Sequence, residues 1–178
     1  MIHYISPYRV DKNIGKAIND AIKQISPDDE DWIVHCDHDI LWLLPESKQQ
    51  LENILSTTEF DVLGPLTNRL GSKTQLYHEE FSEETDILEH IQIAKDFIKG
   101  NYAEIKPLKD GVLAAFCLCF KVKTWKKLGG FAENTLQFDW HFSENARKMD
   151  FKLGIMTGIY VYHLYRTGKD KSDFTHLI

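Results

Sequence analysis

Two changes of hydrophobic rhythm within the first 36 residues constrain this chain more than any other feature. Residues 2–5 (IHYI) form a short apolar run that is followed by Pro7, the pattern of a strand ending in a turn. Asn13 then stands as a helix cap, and Ile14, Ala17, Ile18, Ala21, Ile22 and Ile25 recur at the three-and-four spacing of one buried helix face. Ser26-Pro27 and the acidic turn PDDED stop that helix, because the residue before a proline is pushed out of the helical region. The next five residues, WIVHC, are again an apolar strand. Strand, helix and strand in this order make an α/β unit and predict a parallel pair.

The rest of the chain continues the alternation. Helices are expected over residues 47–55, 86–99 and 138–149, with one or two helical turns over 124–128. Strands are expected over 61–66 (DVLGPL), 112–122 and 158–163 (GIYVYH), and 68–75 reads as a polar loop. This predicts an α/β sandwich, Rossmann-like, with a mixed but mostly parallel sheet. With 178 residues, 43% of them apolar, the chain can bury one core and has no room for two ordinary domains, so residues 1–178 are expected to be a single domain. Its longest apolar runs, 40–44 and 111–120, fall well short of the roughly 20 residues of a membrane-spanning helix, and the N-terminus has no secretory pattern, so a cytoplasmic location is expected. The three cysteines, Cys36, Cys117 and Cys119, sit in apolar strand-like segments and read as reduced, buried thiols.

A formal net charge of -6 argues against nucleic acid as the main partner, since such affinity comes from clustered Lys and Arg. A phosphate-bearing small ligand would need a cation. The one basic cluster, Lys121, Lys123, Lys126 and Lys127, is expected to be a solvated face, with an acceptor surface or a peripheral membrane contact as the alternative.

Asp37 and Asp39 lie where the apolar WIVHC strand leaves the core. In an open α/β sheet, ligands bind at the C-terminal ends of strands. Alternation along an extended segment would send both carboxylates to one side. Their hard oxygens suit Mn²⁺ or Mg²⁺, an ion that can bridge to a diphosphate. An Asp-x-Asp triplet is also common as a plain turn, so the context must decide.

That context carries a family resemblance. The segment DWIVHCDHDILWLLPES resembles the part of GT-A glycosyltransferases where a hydrophobic strand ends in an Asp-x-Asp motif. NIGKAINDAI is similar to the Asn-x-Gly-x-Ala-x-Asn helix of family-two glycosyltransferases, and ISPYR to the start of galactosyltransferase-like members. The resemblance implies that Pro7, Tyr8 and Arg9 contact the nucleotide. LAAFCLCFKVKTWKKLGGFAEN resembles the acceptor-side strand and Gly-Gly-Phe turn, which assigns Gly129, Gly130 and Phe131 to the acceptor side; a plain helix C-cap at Gly129 is the alternative and is compatible with it. TLQFDWHFSENARKMDFKLG is similar to the family's acidic helix. The resemblance makes Asp139 the general base and places Trp140 and His141 beside the acceptor, although Phe138 stands where the family usually has Glu, His141 at its second acidic position and Asn145 in place of an Arg. It also implies His163, at the end of GIYVYH, as a third metal ligand. His35, in mid-strand, is expected to be structural.

Compared with the family, one βα unit is absent between the first strand and the NIGKAIN helix, and with it the strand that usually binds the base. Contacts borrowed from a second subunit in a homo-oligomer, or lost activity, both fit that shortening. The expected function is transfer of a sugar from a nucleotide-sugar donor, a UDP-sugar foremost, to a hydroxyl of a glycan or lipid-linked acceptor, with inversion. A catalytically silent sugar-nucleotide-binding domain and a metal-dependent nucleotidyltransferase are the alternatives.

Overall fold

A computed structural model describes residues 1–165. Its elements are β1 (Ile2–Ile5), α1 (Ile14–Ile25), β2 (Trp32–Cys36), β3 (Ile40–Leu41), α2 (Glu46–Thr57), β4 (Val62–Thr67), α3 (Ile87–Asn101), β5 (Ile105–Pro107), β6 (Cys117–Lys121), α4 (Val122–Leu128), α5 (Phe138–Lys148) and β7 (Leu153–His163). The strands form one mixed sheet in the order β1-β2-β6-β4-β7-β3, with β5 also on β7. It is covered on both faces. Ile18 and Ile22 of α1 and Phe138, Phe142 and Ala146 of α5 pack with Ile33, Leu118 and Phe120 on one face. Leu51, Ile54 and Leu55 of α2 pack with Trp32, Val34 and Cys119 on the other. The α/β sandwich expected from the alternation is therefore present, and Trp32, Ile33 and Val34 take opposite faces in turn, as a pleated strand requires.

The start of the chain folds as its rhythm dictates. The Asn13 side chain accepts from the Lys16 amide to cap α1, and Ser26, in the left-handed conformation at φ 51°, ends it just before Pro27. β1 and β2 pair in parallel, Ile2 opposite Trp32. Asp86 caps α3 in the same manner as Asn13 caps α1, through the Leu88 amide.

The balance of strand directions differs from the expectation. Only β1–β2 and β4–β7 are parallel, while β2–β6, β4–β6, β3–β7 and β5–β7 are antiparallel, so the sheet is mixed and not mostly parallel. The expectation takes each helix as a crossover between parallel neighbours, whereas α3 leads into β5, which runs antiparallel to its neighbour β7, and β6 lies antiparallel between β2 and β4. β6 is also shorter than the 112–122 run suggests. Three successive amides before it, those of Leu113, Ala114 and Ala115, are taken by the side chains of Ser143, Gln75 and Asp139 at 3.1, 2.7 and 3.4 Å, which satisfies the backbone outside any ladder. The polar stretch after β4 contains a short 3₁₀ turn at Lys73–Gln75, and β7 begins five residues before the expected strand, with a register irregularity where β4 passes Pro65.

All three cysteines are free; the Cys36 and Cys117 sulfurs face each other across β2 and β6 at 3.8 Å. Among the described residues no helix is long and apolar enough to cross a membrane. The lysine cluster is largely compensated. Lys121, Lys123 and Lys126 pair with Asp61, Glu30 and Asp29, and Lys127 lies over the Phe151 ring.

Candidate metal centre

Two distant parts of the sheet build the centre. Asp37 follows directly on β2, its amide bonded to the Phe116 carbonyl at 2.8 Å. His38 and Asp39 then form a turn, not the straight extension that alternation suggests, and the chain returns as β3. β3 pairs with the end of β7, Ile40 opposite His163 and Leu41 opposite Tyr162, and the Leu164 amide bonds the Asp39 carbonyl at 2.9 Å. This short antiparallel ladder carries residue 39 across to residue 163. Candidate ligand atoms of Asp37, Asp39 and His163 all lie within 4.8 Å of one another, the one His/Cys/Asp/Glu group of this kind among the described residues.

The surroundings of His163 fix its tautomer. Its Nδ1 lies 2.8 Å from the Arg69 carbonyl, which can only accept, so Nδ1 carries the proton and donates. Nε2 then presents a lone pair, and it faces the Asp39 carboxylate Oδ1 at 3.3 Å. Two acceptors facing each other at that distance are the donor arrangement of a cation site. A backbone acceptor behind the ligating imidazole is the arrangement that orients metal-bound histidines. The ring is further clamped by stacking on Phe116 at 5.2 Å and on Tyr165 at 5.4 Å between centroids, and the His163 amide donates to Asn68 Oδ1 at 2.7 Å. Two carboxylates and an imidazole, one buried and two partly open, thus suit Mn²⁺ or Mg²⁺ in donor type and leave room for further oxygen ligands.

Asp139 sits at the first turn of α5 and lines the same cleft of about 870 Å³ as Asp37, Asp39 and His163. The segment before β6 links the acids: Ala115 donates to Asp139, and its neighbour Phe116 accepts from Asp37. Burial raises the Asp139 carboxyl above the ordinary value, the amides of Trp140 and Ala115 pull it back in part, and the Asp37 charge adds to the rise. Trp140, 45% exposed, and Leu136, 84% exposed, stand on the cleft wall beside it.

Other expected site residues lie elsewhere. Pro7, Tyr8 and Arg9 do not line this cleft; Tyr8 is exposed and reaches only the His38 ring, at 6.1 Å, and Arg9 is engaged by Asp11 and Asp20. His141 is also outside the lining, edge-on behind Trp140. The Gly129-Gly130-Phe131 turn is a cap. Gly129, at φ 77°, ends α4, Gly130 follows at φ 90°, and Phe131 is buried against Phe142 at 4.2 Å. The turn is held by Asn19 of α1, whose Oδ1 accepts from Phe131 N and Trp125 Nε1 and whose Nδ2 donates to the Phe131 carbonyl. Gly129, Gly130 and Phe131 border a separate recess with Asn19 and Trp125 and do not line the acidic cleft.

Asn68, Arg69 and Phe116 escaped the sequence reading although they hold His163. Arg69 gave the one available signal, an arginine in a short polar stretch directly after an apolar strand; it is 2% exposed, donating to the Ser82 and Glu84 carbonyls. No protein-family profile matches the chain, and no curated protein matches it.

Proposed function

We propose that this chain is a metal-dependent glycosyltransferase that moves a sugar from a nucleotide-sugar, a UDP-sugar foremost, to a hydroxyl of a glycan or lipid-linked acceptor. The observation that carries the reading is His163 Nε2 turned toward Asp39 beside Asp37, with the Asp139 carboxyl in the same cleft. In this reading Asp37, Asp39 and His163 would hold Mn²⁺ or Mg²⁺, which would supply positive charge to offset that of a departing diphosphate. Asp139 accepts the proton of the acceptor hydroxyl while that oxygen bonds the anomeric carbon and the bond from that carbon to the diphosphate breaks, which gives inversion. A raised carboxyl suits the role, because a base nearer the working pH transfers protons more effectively.

The fold is read on the same footing as a compact GT-A-like sheet in which β1 leads through a loop straight into α1, without the βα unit that would bind the base. A silent sugar-nucleotide-binding domain is the second reading. It is favoured by Arg9, whose guanidinium is already engaged by Asp11 and Asp20, and by the backbone amides that Asp139 accepts. The deciding experiment is a panel of nucleotide-sugars, each with and without Mn²⁺, followed by thermal unfolding and by release of free nucleoside diphosphate. The expected result is stabilisation by one donor only with Mn²⁺, together with diphosphate release. Stabilisation without release supports the silent reading, and no response to any donor sinks both.

A further inference from the structure

His35 occupies the middle of β2, between Val34 and Cys36, in a strand whose other side chains are apolar or thiol. Its side chain is 1% exposed, and neither ring nitrogen has a hydrogen-bond partner. A buried imidazole left unpaired is destabilising, because the group has lost water and gained nothing in return. An aliphatic residue would pack there without that penalty. One polar atom does lie near the ring. Nε2 stands 3.4 Å from Asp37 Oδ1, two residues along the strand, just beyond the range of a well-formed hydrogen bond.

We propose that His35 is a positioning residue for the ion site, and this rests on the metal-binding reading of Asp37, Asp39 and His163. Asp37 is the most open of the three, with a side chain 38% exposed against 23% for Asp39 and 4% for His163. No other side chain among those described holds its carboxylate: Asp39 faces His163, and His163 is tied to Arg69, whereas Asp37 has only His35 within reach. A proton on Nε2 directed at Oδ1 fixes the carboxylate rotamer and leaves Oδ2 for the ion. The approach tightens when the ion draws Asp37 into register, which is how outer partners of ligating carboxylates act. The site would then have two supports, the Arg69 carbonyl, just past β4, behind His163 and the His35 imidazole of β2 behind Asp37.

The test is calorimetric titration of the full chain with Mn²⁺ alone, comparing the parent with His35→Phe, His35→Leu and His35→Gln. The Phe and Leu variants are expected to bind Mn²⁺ roughly 10- to 100-fold more weakly, the range seen when an outer partner of a ligand is removed. The Gln variant keeps an amide donor and is expected to recover part of that affinity, which a purely packing role for His35 would not produce. If Phe proves too large to fold, the Leu and Gln pair carries the comparison. Phe or Leu variants that bind Mn²⁺ as tightly as the parent overturn the role of His35 alone. A parent chain that binds no Mn²⁺ overturns the ion site as well.

Discussion

At the scale of single residues, Asp139 is pulled in two directions, and in the proposed role of general base that balance would set the pH at which it works. Burial and the Asp37 charge raise its carboxyl, while the Trp140 amide at 2.8 Å and the longer Ala115 contact lower it. The net is upward, and a general base functions only when deprotonated. The acid limb of the transfer rate should therefore lie above the ordinary aspartate range. Because a bound cation offsets the Asp37 charge, saturating Mn²⁺ should move that limb toward lower pH. Asp139→Asn is expected to bind donor as the parent does and to transfer sugar about 10²- to 10⁴-fold more slowly, with the acid limb gone from what remains. A pH series of initial rates with parent and variant decides it. A variant with the parent's rate and limb assigns the base to another group.

At the scale of elements, two sequence motifs more than 100 residues apart prove to be halves of one joint. Asn13, Gly15 and Asn19 lie along α1, and residues 130–134 run past them. Asn13 exchanges hydrogen bonds with Asn134, Asn19 holds Phe131, and Gly15 is passed so closely that an added β-carbon would sit 2.1 Å from the Ala132 carbonyl oxygen. In an exposed helix Gly→Ala gains about 1 kcal/mol of helix propensity. Here the crowding should dominate, since overpacking against backbone costs about 1–3 kcal/mol. Gly15→Ala is thus expected to lower stability by up to about 2 kcal/mol in urea unfolding, and a stabilised variant would mean that the joint is loose. Both motifs were readable in the sequence, which left the glycine turn open between helix cap and acceptor side, because both ask the same φ > 0 of Gly129 and Gly130. Long periodic elements such as α1 were legible from their own residues. β3 was not, since Ile40–Leu41 has no pattern and pairs only because β7 is beside it. Nor was the late start of β6, since the amides of residues 113–115 go to Ser143, Gln75 and Asp139 from other parts of the chain.

At the scale of the whole molecule, a cation held by Asp37, Asp39 and His163 would fasten parts of the sheet that the chain reaches far apart in sequence. Asp37 leaves β2 near one side of the sheet order, and His163 ends β7 beyond β6 and β4, with the two-residue β3 as the visible backbone bridge to Asp39. The sequence pointed to all three candidate ligands from strand-end positions and resemblance, but their convergence depended on that bridge, which no local pattern announced. A ligand that binds the folded chain and not the unfolded one raises stability by mass action. At 100 times Kd the gain is about 2.7 kcal/mol, and at 2–4 °C per kcal/mol for a chain of this size the midpoint should rise by about 5–10 °C. Excess Mn²⁺ is expected to produce that rise and a chelator to abolish it. His163→Ala removes the one ligand contributed by β7, leaving the Arg69 carbonyl without its donor and the two carboxylates on one side of the sheet edge. Its midpoint should fall without metal and respond little when Mn²⁺ is added. The difference between the two responses isolates the cross-sheet tie from ordinary burial, because the loss of packing lowers both states of the variant while only the tie depends on the ion. An equal Mn²⁺ response in parent and His163→Ala would place the ion on the Asp37–Asp39 turn alone, and the link between the two parts of the sheet would then be made by the β3–β7 hydrogen bonds without help from a cation.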